Sequence, residues 1–264
     1  GARDGECAGK VEGRVCVVRG AAGGQGERES KMIAQQGGKG YMADFEEEGL
    51  KRVEGAIGAD GGEAVAFPMD VADEDAWQAL VKKVLDESGR LDVLVNNAGM
   101  CQNGTVLTET RESLTRIMDV DCWGVYNGMH YCAPAIIEAG GGTIVNTCSY
   151  QGTHFGPGSF IGYAMAKAAV MGMTRAAATD LGTYGIRVNA VSPGLVLSGM
   201  TMPRGQNRAG LVDASSMKRY ALPEEIASVV LFLASDDSSF INGEFIAADG
   251  GATTYLHLAT ADKK

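Results

Sequence analysis

Short apolar runs alternate with longer amphipathic segments along most of this chain, and this alternation limits the folds available to it. Within the apolar runs, polar residues rarely alternate with apolar ones, as is typical of strands covered by helices on both faces. Right-handed crossovers between such strands give a doubly wound parallel sheet, so we predict an α/β fold with about seven strands. The predicted strands span residues 15–18, 41–43, 64–67, 93–95, 143–146, 187–191 and 244–247. The predicted helices span roughly residues 27–36, 46–56, 74–87, 111–138, 162–183 and 223–234.

Composition excludes several classes of function. The net charge of −10 argues against a nucleic-acid partner, because backbone phosphates need clustered Lys and Arg. No stretch approaches the roughly 20 apolar residues of a membrane span, and residues 1–10 lack the apolar core of a signal peptide. The cysteines form no Cys-x-x-Cys pair, so we expect no metal site. Cys16 and Cys148 lie in apolar runs, which favours buried thiols in a cytoplasmic protein.

A glycine-rich turn follows the first predicted strand directly and leads into a helix. It reads Gly20-Ala-Ala-Gly-Gly24-Gln25-Gly26. Glycines permit a tight turn there and let backbone N–H groups approach a pyrophosphate at the helix N-terminus. The spacing differs from Gly-x-Gly-x-x-Gly, but the physical requirement is the same. This turn therefore predicts binding of a dinucleotide.

An acidic residue follows the second predicted strand. Asp44 lies eighteen residues after Gly26, where a carboxylate can accept hydrogen bonds from the adenosine ribose. The same charge would repel a 2′-phosphate, so NAD is favoured over NADP. The alternative is that Asp44 only caps the next helix. Arg19 is a cation beside the loop, but its place at the strand end is a poor one for reaching the 2′ position.

Two further polar motifs follow predicted strands. These are Asp70-Val71 and Asn96-Asn97-Ala98-Gly99. Each could be a turn signal by itself, since Asn and Asp favour turns. Together with the glycine loop they form a consistent rim at the carboxyl edge of the sheet, where ligands bind in such folds.

Tyr163 and Lys167 are spaced four residues apart on a predicted helix, which puts both side chains on one face. A phenol titrates near ~10, and an adjacent ammonium lowers that pKa, which makes proton exchange with an alcohol or ketone practicable. The pair alone is a common chance spacing. Ser149 follows the strand at 143–146, so its hydroxyl can reach the same rim, and the combination indicates an active site.

In order and spacing these motifs resemble the short-chain dehydrogenase/reductase family from about Gly13 to Gly251. The resemblance is carried by Gly20-x-x-x-Gly24-x-Gly26, Asp70-Val71, Asn96-Asn97-Ala98-Gly99, Ser149, Tyr163-x-x-x-Lys167, Pro193-Gly194, Phe240-Ile-Asn-Gly243 and Asp249-Gly-Gly251. We expect residues 13–264 to form a single Rossmann-like catalytic domain after a flexible tail at 1–12. Residues 195–216 lack clear periodicity and predict a substrate lid.

The resemblance implies a role for each residue. Tyr163 would be the general acid/base, Ser149 would hydrogen-bond the substrate oxygen, and Lys167 would lower the Tyr163 pKa and bind the nicotinamide ribose. Asp70 would contact the adenine. Expected contacts to NAD are Gly20, Gly24, Gln25, Gly26, Asp44, Phe45, Asp70, Val71, Asn97, Ala98, Gly99, Tyr163, Lys167, Pro193, Gly194, Val196 and Ser198. The family is commonly tetrameric, so a homotetramer or homodimer is expected.

Three positions depart from the family pattern. Arg19 replaces the usual Thr, and Gln25 replaces a small aliphatic residue. Asp121 occupies the position of a catalytic Asn that anchors a water in a proton relay. An ionised Asp accepts hydrogen bonds only; its charge would favour the Lys167 ammonium and oppose tyrosinate formation. Arg19 could offset a nearby negative charge or crowd the loop.

The leading prediction is an NAD-dependent oxidoreductase that interconverts a secondary alcohol and a ketone. The alternatives are a catalytically impaired NAD-binding protein, because of Arg19 and Asp121, and an epimerase or lyase acting through transient oxidation. The residues expected to line the substrate pocket are mostly apolar or soft, which favours a hydrophobic, cyclic or steroid-like alcohol. They are Met100, Cys101, Tyr150, Gln151, Phe155, Leu195, Met200 and Met202.

Overall fold

The computed structural model describes residues 9–153, 160–198 and 215–254, and the structural statements below concern these residues. Seven strands form one parallel sheet in the order β3-β2-β1-β4-β5-β6-β7. They are β1 (Val15–Arg19), β2 (Lys39–Asp44), β3 (Glu63–Pro68), β4 (Val93–Asn96), β5 (Gly142–Thr147), β6 (Ile186–Pro193) and β7 (Phe245–Ala248). The predicted doubly wound sheet is confirmed, and each strand was located to within two residues at either end.

Helices cover both faces of the sheet. They are α1 (Gly24–Gln35), α2 (Glu47–Ala59), α3 (Glu74–Ser88), α4 (Arg111–Met118), α5 (Gly124–Glu138), α6 (Tyr150–Thr153), α7 (Ile161–Gly182) and α8 (Pro223–Ala234). Successive residues of β1 belong to different apolar clusters, Val15 and Val17 to one and Cys16 and Val18 to the other. Burial on both faces explains why the strand sequences show no alternation.

The helix predicted over 111–138 is present with those bounds, but it is not a regular α-helix throughout. A π-helical turn at Asp119–Trp123 separates α4 from α5 and carries Asp121 into the interior. Apolar periodicity does not reveal such a turn, because it shifts the phase of the apolar face once and leaves the helical pattern on either side unchanged. The short helix α6 was also not predicted.

The sheet order determines where a ligand can bind. The chain reverses direction across the sheet between β1 and β4, and a crevice opens at this switch point beyond the carboxyl ends of the strands. In register, Arg19 of β1 lies opposite Asn96 of β4, and Asn96 lies opposite Asn146 of β5. The motifs that follow these strands therefore converge at one edge.

Other expectations are met in part. Cys16 and Cys148 are buried, as predicted. Residues 9–12, which we assigned to the tail, form a turn that buries Val11. Residues 199–214, most of the predicted lid, lie outside the described residues. No described helix is long and apolar enough to cross a membrane.

Candidate active site

A cleft of about 660 Å³ lies at the carboxyl edge of the sheet, over the switch point. The predicted cofactor residues line it, with the exception of Gly26, which supports the loop from beneath. Ser149, Tyr163 and Lys167 also line the cleft. The topology thus brings together residues from seven separate parts of the chain.

The glycine loop turns tightly because side chains have no room there. Gly20 has a φ of 77°, and a Cβ on it would lie 2.6 Å from the Ala98 Cα. A Cβ on Gly26 would lie 2.1 Å from the Gly20 carbonyl oxygen. Helix α1 therefore starts close against the end of β1, with no side-chain cap on its first N–H groups. An uncapped helix N-terminus facing a cleft is suited to a phosphate.

Asp44 ends β2 at the rim of the cleft, where backbone amides hold its carboxylate. One oxygen accepts a hydrogen bond from the Ala22 amide at 3.0 Å and the other from the Glu46 amide at 3.1 Å. Asp44 does not serve as the N-cap of α2, because Glu46 occupies that position. Its carboxylate thus stays at the cleft in a defined orientation.

The charges around this end of the cleft are mainly negative. Asp44, Glu46 and Asp70 line it, and the nearby guanidinium of Arg116 pairs with Asp70 at 3.4 Å. The Arg52 guanidinium donates to the Ala22 carbonyl but is held by Glu27 at 2.6 Å. Both guanidinium groups are already paired with carboxylates. This end of the cleft is therefore better suited to an uncharged ribose than to a ribose that carries a further phosphate.

Tyr163, Ser149 and Lys167 meet at the other end of the cleft. Tyr163 lies beside Ser149, which follows the end of β5 and whose hydroxyl lowers the pKa of the Tyr163 phenol. The Lys167 ammonium lies 5.5 Å from the Tyr163 ring centroid and donates to the Thr147 carbonyl at 3.0 Å. Residues 163 and 167 share one face of α7, so the predicted pairing is present in the structure.

Three influences on the pKa of Tyr163 are the largest. Burial raises it well above its ordinary value, the negative charge of Asp121 raises it further, and the Ser149 hydrogen bond lowers it. With its pKa raised in this way, the Tyr163 side chain is a neutral phenol that can donate a proton.

Asp121 lies behind the cleft and does not line it. It is fully buried; one carboxylate oxygen accepts a hydrogen bond from the Met100 amide at 2.7 Å, and the other lies 3.3 Å from the Lys167 ammonium. The sequence predicted this residue as catalytic, and the structure places it one contact away from Tyr163, through Lys167.

The structure also shows contributors that the sequence did not reveal. Thr147 and Ala22 act through backbone groups, which carry no side-chain signal, and Arg116 reaches the cleft from α4 across the fold. Of the predicted substrate-pocket residues, Met100 lines the cleft and Tyr150 is buried beside it, whereas Phe155, Met200 and Met202 fall outside the described residues.

Comparison with known proteins bears directly on this site. The family model described as enoyl-(acyl carrier protein) reductase matches residues 20–253. The 3-oxoacyl-[acyl-carrier-protein] reductase FabG of Thermotoga maritima is 36% identical over 92% of this chain and 98% of its own length. The chain belongs to the short-chain dehydrogenase/reductase family.

Other members of this family are similar to the chain over nearly its whole length. Meso-2,3-butanediol dehydrogenase of Serratia marcescens is 38% identical over 92% of this chain and 96% of that protein. Cyclopentanol dehydrogenase of a Comamonas species is 35% identical over 93% and 99%. The crystal structure of a short-chain type dehydrogenase/reductase from Mycobacterium marinum superimposes with a TM-score of 0.90 at 31% identity, covering 93% of this chain and 98% of that one. The chain is thus an oxidoreductase of this family.

Proposed function

We propose that this short-chain dehydrogenase/reductase uses NAD to interconvert a secondary alcohol and a ketone, with Tyr163 as the general acid/base. The observation that carries the proposal is that Ser149, Tyr163 and Lys167 line one cleft, with the Lys167 ammonium 5.5 Å from the Tyr163 ring centroid. These three side chains can bind a carbonyl oxygen, deliver a proton to it and stabilise the charge left behind.

The cleft fits a nicotinamide dinucleotide. The close approach at Gly20 and Gly26 and the uncapped start of α1 suit a pyrophosphate, while Asp44 is positioned to accept from ribose hydroxyls. The carboxylates at that end oppose a 2′-phosphate, which supports NAD over NADP. When bound, the nicotinamide supplies or accepts the hydride.

In the direction of ketone reduction, the Tyr163 hydroxyl donates its proton to the substrate oxygen. Ser149 holds that oxygen by a hydrogen bond, and the Lys167 ammonium stabilises the tyrosinate that remains. Alcohol oxidation is the reverse and needs Tyr163 deprotonated at the start. Because the Tyr163 pKa is raised, oxidation should accelerate as the pH rises into the alkaline range, whereas reduction should not.

The proposed substrate is a hydrophobic or cyclic alcohol. Met100, Val120 and Val196 contribute apolar surface to the described part of the cleft, and Met adapts to irregular shapes. One relative points the same way, because it is named for cyclopentanol, whereas another is named for the acyclic diol meso-2,3-butanediol. A 3-oxoacyl substrate, as named for FabG, is the competing choice.

The test measures reduced nicotinamide by absorbance, with NAD or NADP and with cyclopentanol, meso-2,3-butanediol or a 3-hydroxyacyl thioester. We expect turnover with NAD and the cyclic alcohol. Tyr163→Phe should reduce kcat at least ~100-fold while NAD still binds. Tyr184→Phe is the matched control, since Tyr184 lies exposed beyond the end of α7. A Tyr163→Phe protein as fast as the wild type would refute the assigned role.

A second candidate is an NAD-binding protein with little turnover, and the proximity of Asp121 to Lys167 favours it. The charge of Asp121 raises the pKa of Tyr163, which opposes proton abstraction from an alcohol. In this case NAD would raise the Tm without turnover of any alcohol, and Asp121→Asn would create activity.

A further inference from the structure

Arg19 is a fully buried cation at the carboxyl end of β1. Its guanidinium donates to the Ala98 carbonyl at 3.0 Å and to the Val120 carbonyl at 3.3 Å, and its Nε has no hydrogen-bond partner among the described residues. The guanidinium occupies space left by Gly124, where a Cβ would lie 2.8 Å from the Arg19 Nη1. The residue is therefore built into the wall behind the cleft.

Arg19 and Asp121 hold the same two segments together. Val120, whose carbonyl Arg19 binds, directly precedes Asp121 in the π-helical turn. Asp121 in turn binds the Met100 amide, two residues after the other carbonyl that Arg19 contacts. The charge of Asp121 is felt at Arg19, where it raises the pKa of the guanidinium against the larger lowering effect of burial, which leaves that pKa at about 10.

Three buried charges therefore lie in sequence behind Tyr163: the Arg19 guanidinium, the Asp121 carboxylate and the Lys167 ammonium. Their sum is one positive charge. Without Arg19, the carboxylate would cancel the ammonium, and buried charges are screened little by salt. Two of the three positions that depart from the family pattern, Arg19 and Asp121, carry opposite charges, and the fold brings them together.

We propose that Arg19 is a positioning residue that acts through Asp121: its charge offsets the carboxylate, so that a net positive charge is kept beside Tyr163. This inference rests on the proposed function, because it assigns a consequence for proton transfer by Tyr163. It predicts that substituting Arg19 and substituting Asp121 shift the Tyr163 pKa in opposite directions, and that the two shifts cancel when both residues are substituted.

Among the described residues, the groups that act on Tyr163 come from four parts of the chain. They are Lys167 on α7, Asp121 in the π-helical turn, Ser149 and Cys148 after β5, and Cys101 in the loop after β4. Among these groups, only Asp121 and Lys167 are charged when Tyr163 is a phenol at neutral pH. Arg19 therefore affects Tyr163 by offsetting the negative charge of Asp121.

The experiment measures the pH dependence of kcat for alcohol oxidation in the wild type, Arg19→Met, Asp121→Asn and the double variant. Arg19→Met should move the apparent pKa up by about one unit, and Asp121→Asn should move it down by about one unit. The double variant should return it close to the wild-type value. Arg19→Lys, which keeps the charge, should behave like the wild type. Arg14→Met removes a part-buried arginine that binds the Ala234 carbonyl at the opposite edge of the sheet, and should leave the profile unchanged.

Two results would overturn the inference. One is an Arg19→Met protein whose pH profile of kcat equals that of the wild type. The other is a double variant whose apparent pKa is shifted as far as that of Arg19→Met. If Arg19→Met does not fold by itself, a folded double variant supports the charge compensation between Arg19 and Asp121, and an unfolded one refutes it. If the wild type turned over no alcohol, the proposed function would fail separately. The denaturation midpoints of the wild type, Arg19→Met, Asp121→Asn and the double variant would then test the charge compensation by themselves. The compensation is supported if the double variant is at least as stable as Arg19→Met, and it is refuted if the double variant is less stable.

Discussion

Glu29 lies on the buried face of α1, and its carboxylate offers an unusually direct test of the structure. The side chain is 1% exposed, and neither of its carboxylate oxygens has a hydrogen-bond partner among the described residues. Burial raises the pKa of Glu29 from 4.5 to about 8. At neutral pH the folded protein should therefore hold Glu29 as the neutral acid, whereas the unfolded chain ionises it.

The sign of the pH effect follows from proton binding. Below pH 4.5 both states are protonated, so the group does not affect stability. Between that value and about 8 the unfolded chain binds fewer protons than the folded one, so the free energy of unfolding falls as the pH rises. Each unit of pKa difference corresponds to about 1.4 kcal/mol, which gives a cost of about 3 kcal/mol at pH 7. Local relaxation makes this an upper value.

Glu29→Gln removes the titration and nearly preserves the shape of the side chain. We expect the variant to be close to the wild type at pH 4 and more stable at neutral pH by up to about 3 kcal/mol, or roughly 5 °C in Tm. The measurement is urea denaturation of both proteins between pH 4 and pH 8, with the difference in the free energy of unfolding plotted against pH.

Glu27→Gln is the matched control on the same helix. Hydrogen bonding to Arg52, with a further contribution from Lys31, lowers the pKa of Glu27 to about 2. Its ionised form therefore stabilises the fold, and this contribution is lost as the pH falls, so the control should be less stable than the wild type at neutral pH. A difference between Glu29→Gln and the wild type that stays constant from pH 4 to pH 8 would refute a neutral buried Glu29.

Three further predictions concern the cleft. Asp44→Ser should weaken NAD binding and narrow the preference for NAD over NADP, measured by calorimetry with both cofactors; unchanged affinities would contradict the role of its carboxylate. Gly26→Ala should lower stability by about 2–4 kcal/mol because its Cβ would meet the Gly20 carbonyl, whereas Gly23→Ala, with no atom within 4 Å of its Cβ, should be tolerated in the same thermal melts. Ser149→Ala should lower kcat and raise the apparent pKa of Tyr163, since their hydrogen bond lowers that pKa; a shift in the other direction would count against this contact.

Much of the architecture was predictable because the local signals agree with the global fold. The seven strands are short apolar runs buried on both faces, and such runs can be recognised one at a time. The break between α4 and α5 was not predictable, since the π-helical turn is held by contacts of Asp121 with Met100 and Lys167, which lie elsewhere in the chain.

By itself, the sequence determined the individual strands, the glycine loop and the spacing that places Tyr163 and Lys167 on one helix face, because each depends on neighbours within a few residues. Only the tertiary structure decided which side chains meet. Arg19 and Asp121 are 102 positions apart, and they come together because β1 lies beside β4 and the π-helical turn points its carboxylate inward. The balance of charge behind Tyr163 is therefore a property of the fold, since electrostatic energy depends on distance in space and on burial.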